Sequence, residues 1–338
     1  MLELENKTVI FMNSEFIILI IKRFISSIII LFLLITFVFI LIRLAPGDPS
    51  QKYLSSKLSP ELIEKVKVSY KLNTSVTEQY FSFIGNFIKG DLGISYNYRK
   101  PVTEVISEFL PFTLILSSVS FLIQIILSFF LTILAVKKVN GIFDRFLSKS
   151  VIIIYVIPTF VLGVILIYVF SIKWNILPSS GVKSYGNDEK NFFIILFDYL
   201  QHLILPVITL SLGGVAVFYK YLRDNITNVY NRTFIDFLRA NGYSEREILI
   251  HNVIPNAVNP LISVAGIELG LLLSGTLITE IIFSLPGMGR LTMDAILSRD
   301  YPLVIGCTLT ASVLILLSNF AADLIKAIID KRFVKGLA

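Results

Sequence analysis

Six long apolar runs constrain the fold of this chain more than any other feature of its sequence. Each holds 17 to 25 residues, which as an α-helix rising ~1.5 Å per residue is enough to cross about 30 Å of hydrocarbon. The runs are Phe24–Ile42, Phe112–Val136, Val151–Ile172, Leu203–Tyr219, Leu261–Phe283 and Leu303–Ala322. Only 16% of residues are charged, and the mean hydropathy is +0.78. The sequence therefore predicts an all-α polytopic membrane protein with six transmembrane helices.

Prolines inside two of these runs predict breaks. Pro158 lies in the third run and Pro206 in the fourth. A proline lacks the backbone N–H and its ring clashes with the carbonyl four residues earlier, so we expect both helices to be interrupted. Such breaks persist in a membrane where neighbouring helices or a cavity satisfy the freed backbone groups.

The distribution of Lys and Arg predicts which side of the membrane each loop occupies, because cytoplasmic loops are enriched in these residues. With a cytoplasmic N-terminus, the inner segments hold 16 of the 30 and the two short outer loops hold 5. The other nine lie in the long first outer loop, where the rule has little force. We therefore expect both termini and residues 233–255 in the cytoplasm. The same bias accounts for the net charge of +6, so the expected partner is the lipid bilayer and not nucleic acid.

The runs divide the chain into four segments. These are residues 1–42 with the first span, 43–107 as an outer helical loop, 108–329 with the other five spans and a cytoplasmic loop over 226–256, and 330–338 as a cytoplasmic tail. Inside the outer loop, Ser59-Pro60 predicts one helix start, and Pro101 predicts another. Between them, residues 77–89 predict an amphipathic helix that ends at Gly90. We expect this loop to form a small folded cap.

The polar stretch Thr233–Pro255 separates two apolar runs and contains two helix-start signals. Thr233 followed by Asp236, and Ser244 followed by Glu247, have the spacing of capping boxes. Gly242 lies between them, where a left-handed residue would end the first helix. The stretch predicts two short helices joined at a glycine, a candidate surface for receiving force from another protein.

The residue patterns indicate neither an enzyme nor a metal site. The sequence lacks the Gly-x4-Gly-Lys-Ser/Thr phosphate loop, and spacing assembles no nucleophile, base and orienting group. His202 and His251 have no Cys or carboxylate partners at ligand spacing. An integral-membrane enzyme and a secondary transporter both remain open as alternatives.

Two acidic residues, Glu268 and Glu280, lie within the fifth run. Intramembrane acids are costly and point to a function, although Glu280 is close enough to the outer end to reach water. At 100° per residue, Glu268 shares a helix face with Gly275 and Thr279, whereas Gly266 and Gly270 form a packing seam on the opposite side. The face of Glu268 should not contact lipid, so it meets either a partner subunit or a pore. We expect Glu268, Gly275, Thr279 and Glu280 to line a translocation path.

Several motifs, in this order, resemble the permeases of ABC importers. Asp236-Phe-Leu-Arg239-Ala240-Asn-Gly242, followed by Ile254-Pro255, resembles their EAA loop, with Phe237 and Leu238 replacing the usual small residues. Four further motifs resemble the dipeptide, oligopeptide and nickel branch: Arg43-Leu-Ala-Pro46-Gly47-Asp48-Pro49, Gly90-Asp91-Leu92-Gly93, Glu280-x-x-Phe283-Ser-x-Pro286-Gly287-x-Gly289-Arg290, and Arg299-Asp300-Tyr301-Pro302.

The resemblance implies the type I importer permease fold and a multi-pass subunit of a prokaryotic cytoplasmic membrane. The implied partners are a homologous second permease, two cytosolic ATPases that bind ATP and magnesium, and an extracytoplasmic binding protein. No cofactor is implied for this chain. The residues implied to contact an ATPase are Phe234, Asp236, Arg239, Ala240, Gly242, Ile254 and Pro255. The implied cargo is a di- or oligopeptide, with nickel or a metal chelate as the alternative.

Overall fold

The computed structural model describes residues 2–44, 75–137, 141–184, 191–274 and 276–329. These residues are almost entirely helical, and the β-structure among them is one isolated bridge between Ile94 and Pro101. The α-helices are α1 Leu2–Leu44, α2 Val76–Ile88, α3 Val102–Val136, α4 Ile142–Val156, α5 Thr159–Leu166, α6 Phe192–Tyr230, α7 Thr233–Ala240, α8 Glu245–Glu247, α9 Ile254–Leu273, α10 Leu277–Ile282, α11 Met288–Leu297 and α12 Tyr301–Ile329. Two π-helical stretches, Ile167–Lys173 and Ile248–Val253, follow α5 and α8.

Six membrane spans agree with the prediction from the apolar runs. Five helical segments are long and apolar enough to cross a membrane, and the bent pair α4–α5 makes a sixth if counted as one span. Two runs are much shorter than their helices: Phe24–Ile42 lies within the 43 residues of α1, and the 17 residues of the fourth run lie within the 39 residues of α6. In α6 the part after Tyr219 is mostly polar, and the part before Leu203 contains Asp198, Gln201 and His202, so the continuous apolar run ends inside the helix at both ends.

The two predicted proline breaks have different outcomes. At Pro158 the chain bends by 99° between α4 and α5, so the predicted break is confirmed. The break predicted at Pro206 is wrong, because α6 runs through it without interruption. Pro206 is buried between neighbouring helices, and packing there holds the helix together although one backbone donor is missing.

Helix α6 lies at the centre of the bundle, where it packs against α3, α4, α5 and α9. Its fully buried residues include Leu205, Phe218 and Leu222. Polar side chains also join the helices: Gln124 Nε2 donates to the carbonyl of Leu210 at 3.0 Å, and Ser117 Oγ donates to that of Leu272 at 2.7 Å. Lipid tails are as apolar as the helix surfaces, so the hydrophobic effect does not hold membrane helices together. Interhelical hydrogen bonds of this kind supply part of the attraction instead.

Helix α3 spans the whole bundle and defines its two ends. Its 35 residues are about 52 Å long at 1.5 Å per residue. At the Val102 end it packs against α11 and the start of α12, through Leu291 and Leu303. At the Val136 end it packs against residues of the 233–255 segment, including Ile235. Residues 92–110 and the 233–255 segment therefore lie at opposite ends of the bundle.

The described part of the outer loop matches two of its three predicted helix signals. Helix α2 begins after Ser75 and is followed by Gly90 at φ +78°, as expected for an amphipathic helix ending there. Pro101 does precede a helix start, but that helix is α3 itself and continues through the second span. The start predicted at Ser59-Pro60 lies outside the described residues.

Helix α1 packs on the outside of this bundle, mainly against α12. Ile35 is buried against Ile305 and Leu309, and Arg23 pairs with Asp323 at 3.1 Å. Thr36 Oγ1 is hydrogen-bonded to the Tyr80 hydroxyl at 2.7 Å, which ties α1 to α2.

Candidate coupling surface and intramembrane acids

The first helix of the 233–255 segment begins one residue earlier than its capping signal predicted. The carbonyl of Arg232 accepts the N–H of Ile235 at 3.0 Å, so Arg232 is the N-cap residue. No side chain caps this end, and the capping box predicted at Thr233 is therefore wrong. The short link after α6 starts the helix before the Thr233 side chain can serve as a cap.

The turn and the second helix start are confirmed. Gly242 has φ +84°, and its N–H donates to the carbonyl of Arg239 at 3.0 Å. The backbone N–H of Ser244 donates to Glu247 Oε2 at 2.8 Å, while the N–H of Glu247 donates to Ser244 Oγ at 3.3 Å. These reciprocal bonds form a complete capping box.

The second helix of the segment is continuous with the fifth span. From Glu245 the chain runs through α8 and the π-helical stretch Ile248–Val253 directly into α9. Ile254 and Pro255 occupy the first two positions of α9. A displacement of this part of the segment is therefore transmitted to α9 without an intervening loop.

One side of the segment is anchored in the protein core. Ile235, Ile248 and Val253 are all fully buried. They form one apolar cluster with residues near the end of α6, such as Leu222 and Ile226. Burying three large aliphatic side chains contributes about 1.5–3 kcal/mol each relative to exposure, so the segment is held firmly against the bundle.

The other side of the segment presents exposed aromatic side chains. Phe237 is 68% exposed, Tyr243 51% and Phe234 37%. Asp236, Arg239, Ala240 and Gly242 are exposed as well. The predicted coupling residues are thus exposed, except that Ile254 is partly buried.

An ion network joins α7 to α8 across the glycine turn. Arg239 Nε donates to Glu245 Oε1 at 2.6 Å, and its Nη1 donates to Asp236 Oδ1 at 3.2 Å. The hydrogen bond to Glu245 raises the pKa of Arg239 above its ordinary value, so the guanidinium keeps its charge. The network braces the angle between the two helices, with each exposed pair contributing modestly.

The fifth span does not continue as one helix to Phe283. Helix α9 ends at Leu273 and α10 begins at Leu277. The predicted shared face of Glu268 and Thr279 is therefore wrong, because the 100° rotation per residue is lost between the two helices. Gly275 lies outside the described residues, and Thr279 is buried.

Glu280 is fully buried, and the interpretation that it reaches water is wrong. Its carboxylate accepts hydrogen bonds from Thr113 Oγ1 at 2.9 Å, Thr276 Oγ1 at 3.3 Å and the N–H of Arg290 at 3.0 Å. A Cβ at Gly287 would overlap this carboxylate, which explains the glycine there. Thr113, 167 residues away in sequence, is a site residue that no local pattern indicates.

The seam of small residues on α9 packs as predicted. A Cβ at Gly266 would overlap the Cβ of Ala322, and one at Gly270 would lie 3.3 Å from the Cα of Ile315. Both glycines therefore let α9 and α12 approach closely. Glu268 lies on the other side of α9 and is partly exposed, beside residues of α4 and α6.

Histidine and acidic side chains do not assemble a metal site in the described part of the chain, where no group of three or more His, Cys, Asp or Glu could hold an ion. His202 is buried, with Nδ1 2.7 Å from the carbonyl oxygen of Asp198. The Asp198 carboxylate in turn accepts hydrogen bonds from the N–H and Oγ of Ser184, both at 2.7 Å.

Comparison with known sequences places these features in one family. Residues 124–335 match the family described as "Binding-protein-dependent transport system inner membrane component", and residues 16–117 match its N-terminal companion domain. The oligopeptide transport system permease protein AppB of Bacillus subtilis (strain 168) is 34% identical over 93% of this chain and 98% of its own length. The nickel import system permease protein NikB of Staphylococcus aureus (strain MRSA252) is 31% identical over 93% of this chain and 90% of its own.

The fold has a counterpart among solved structures. An inward-facing structure of the MetNI methionine ABC transporter aligns with a TM-score of 0.52 at 18% identity, covering 68% of this chain and 97% of the matched chain. At this identity the likeness concerns the fold alone. The two family matches and the two relatives show that the chain is a multi-pass inner membrane protein and a permease subunit of an ABC importer, not an enzyme, belonging to the family of binding-protein-dependent transport system inner membrane components.

Proposed function

We propose that this chain forms half of the translocation path of a peptide importer and that its 233–255 segment receives the movement of a cytosolic ATPase. The observation that carries the proposal is that one side of the segment is buried and the other is exposed. Ile235 and Ile248 are fully buried against α6, while Phe237 and Tyr243 are exposed. A segment that is firmly packed on one side and presents exposed aromatic and charged side chains suits docking to a second protein.

Continuity of the segment with α9 gives the docking a mechanical consequence. An ATPase that moves α7 also moves α8 through the Arg239–Glu245 hydrogen bonds. Because α8 continues into α9, the movement reaches the fifth span. ATP and magnesium are bound by the ATPase subunits, and this chain contributes no cofactor.

The remaining partners follow from the same architecture. A second, homologous permease completes the path, a second ATPase binds its coupling segment, and a binding protein delivers cargo at the Val102 end of the bundle. The Lys and Arg distribution supports placing both termini and the 233–255 segment in the cytoplasm, with residues 43–107 on the outside.

Peptides are the proposed cargo. The relative named for oligopeptide transport aligns over almost its whole length. Nickel is the second candidate, because relatives named for nickel import align over a similar share of the chain. Of the four predicted path residues, we retain Glu268. Thr279 and Glu280 are engaged in buried contacts at the Val102 end, and we assign them a structural role.

Gly242→Val tests the coupling role in the reconstituted complex. Gly242 has φ +84°, a backbone conformation that a β-branched valine rarely adopts. The substitution therefore changes the angle between α7 and α8 and leaves the spans untouched. We expect normal membrane insertion, but ATP-driven uptake of a labelled peptide reduced severalfold. Gly85→Val is the matched control, because a Cβ meets nothing within 4 Å at either glycine and only Gly242 has positive φ.

Two results would contradict the proposal. Uptake by Gly242→Val equal to that of the wild type, at equal expression, would exclude the glycine turn from coupling. ATP-driven accumulation of labelled nickel without that of any peptide would replace the proposed cargo with the second candidate.

A further inference from the structure

Glu268 is an acidic side chain deep within an apolar helix. It lies on α9 between Ile267 and Leu269, 14 residues after Ile254, or about 21 Å along the helix axis. A carboxylate at such depth that faced lipid would cost ~2–3 kcal/mol on insertion scales. Its surroundings must therefore differ from lipid in the assembled transporter.

The carboxylate of Glu268 has no partner among the residues that the structure describes. No hydrogen bond or ion pair to it is formed there. The other acid of the predicted fifth span, Glu280, accepts bonds from two threonine hydroxyls and from backbone N–H groups. Glu280 is thus satisfied within the fold, whereas Glu268 is available to a group from outside this chain.

A cavity lies in front of Glu268, on the side of α9 opposite the glycine seam. Its volume is about 490 Å³, and it is bounded by α4, α6 and α9. The lining is mostly aliphatic. Its polar side chains are Tyr155 on α4, Lys220 and Tyr221 on α6, and Glu268 on α9, which supplies the carboxylate. Tyr155 and Tyr221 are 63% and 50% exposed, so their rings are accessible from the open side.

The polar groups of this cavity favour a cation. Lys220 is engaged, because its Nζ lies 2.8 Å from Asp224 Oδ2. The Glu268 carboxylate is left as the unpaired charge, and the tyrosine rings can attract a cation through their faces. Aliphatic walls from Val151, Ile152 and Val264 would contact the methylene groups that carry the charge.

We propose that this cavity is a cargo subsite that receives the positively charged side chain of a basic peptide as the peptide backbone passes along the bundle. The inference rests on the proposed peptide transport and names the class of cargo that this face of the permease favours. The ammonium or guanidinium group pairs with Glu268, and its alkyl chain lies against the aliphatic walls. A basic residue of the second permease could also pair with Glu268, and the experiment below separates the two.

The test uses the complete transporter in proteoliposomes with two tripeptides that differ in one side chain, lysine or norleucine. Both keep the same termini, and their equal saturation of the binding protein is established first. Glu268→Gln removes the charge at nearly constant shape, and Glu268→Asp restores it. Glu104→Gln is the matched control, since it makes the same substitution at an exposed site on α3.

We expect Glu268→Gln to raise the KM for the lysine peptide about tenfold and to leave the KM for the norleucine peptide unchanged. Glu268→Asp should recover most of the difference, and Glu104→Gln should behave as the wild type. An equal rise in KM for both peptides would overturn the subsite and favour pairing of Glu268 with the partner permease. An unchanged KM for both peptides would overturn the subsite as well. Absence of uptake of both peptides by the wild type would instead contradict the proposed function.

Discussion

The guanidinium of Arg223 donates two hydrogen bonds to the carboxylate of Asp144. Nε lies 2.9 Å from Oδ1 and Nη2 lies 2.7 Å from Oδ2. Asp144 is 1% exposed and sits at the start of α4, while Arg223 is on α6. Tyr219 also donates to the same carboxylate at 3.4 Å. This bidentate pair fixes α4 to the central helix.

Asp144→Ala should destabilise the protein. It leaves Arg223 without its bidentate partner at a site where the arginine side chain is 18% exposed, so we expect a loss of about 2–3 kcal/mol. Thermal unfolding of the purified permease in detergent measures this. Asp224→Ala is the control, because Asp224 contacts the same arginine but is 41% exposed, and its removal should cost less than about 1 kcal/mol. An equal loss of stability in the two variants would show that burial of the Arg223–Asp144 pair adds nothing to the free energy of unfolding.

Gly266→Ala should disturb the packing of α9 on α12. The new methyl group overlaps the Cβ of Ala322, and overpacking of this kind costs about 1–3 kcal/mol. Adding Ala322→Gly in the same chain should restore part of the loss, giving a coupling energy of about 1 kcal/mol in a double-mutant cycle. Gly213→Ala, where a Cβ meets nothing within 4 Å, should be neutral or stabilising. Additive effects of the two substitutions would contradict the predicted contact.

Glu280→Gln should weaken the Val102 end of the bundle. Thr113 Oγ1 and the Arg290 N–H donate to different oxygens of the carboxylate, and the amide of glutamine keeps only one acceptor oxygen. Its NH2 group therefore faces one of these two donors, and a mismatched buried donor costs about 1–3 kcal/mol. Proteolysis of the folded protein should then become faster near α10 and α11. A variant with wild-type proteolysis rate and melting temperature would show that these hydrogen bonds do not hold the two helices.

Local patterns in the sequence predicted the features that depend on a few neighbouring residues. The apolar runs located the five long membrane helices and the bent α4–α5 pair, the Ser244–Glu247 spacing located a capping box, and Gly242 located a left-handed turn. Each of these is determined by hydropathy or by hydrogen bonds within one turn of the backbone.

Features that depend on distant contacts could not be predicted. Pro158 and Pro206 look alike in sequence, but packing around α6 keeps only the second within a continuous helix. The burial of Glu280 depends on Thr113, which α3 brings beside it. The break after Leu273 likewise altered the face predicted for Glu268 and Thr279.

Cysteine labelling checks the orientation that the Lys and Arg distribution favours. Cys307 is the one cysteine of the sequence, and it is replaced by alanine so that only the introduced thiol can react. In this background, Arg246→Cys should be protected from an impermeant reagent added outside intact cells, while Ser180→Cys should react. Both positions are exposed in the fold, and neither substitution removes the Ser244 cap. Opening the cells should make position 246 reactive. Labelling of position 246 in intact cells would place the 233–255 segment outside.

Site-specific crosslinking from Phe237 tests the central claim most directly. A photoreactive side chain replaces Phe237, which is 68% exposed on α7, in the complete transporter. Ile176 serves as the control position. It follows the π-helical stretch Ile167–Lys173 and is 61% exposed. We predict a crosslink from position 237 to the ATPase subunit that changes in yield when ATP is added, and none from position 176. An assembled, ATP-hydrolysing transporter in which position 237 reaches no ATPase would contradict the coupling role of the segment.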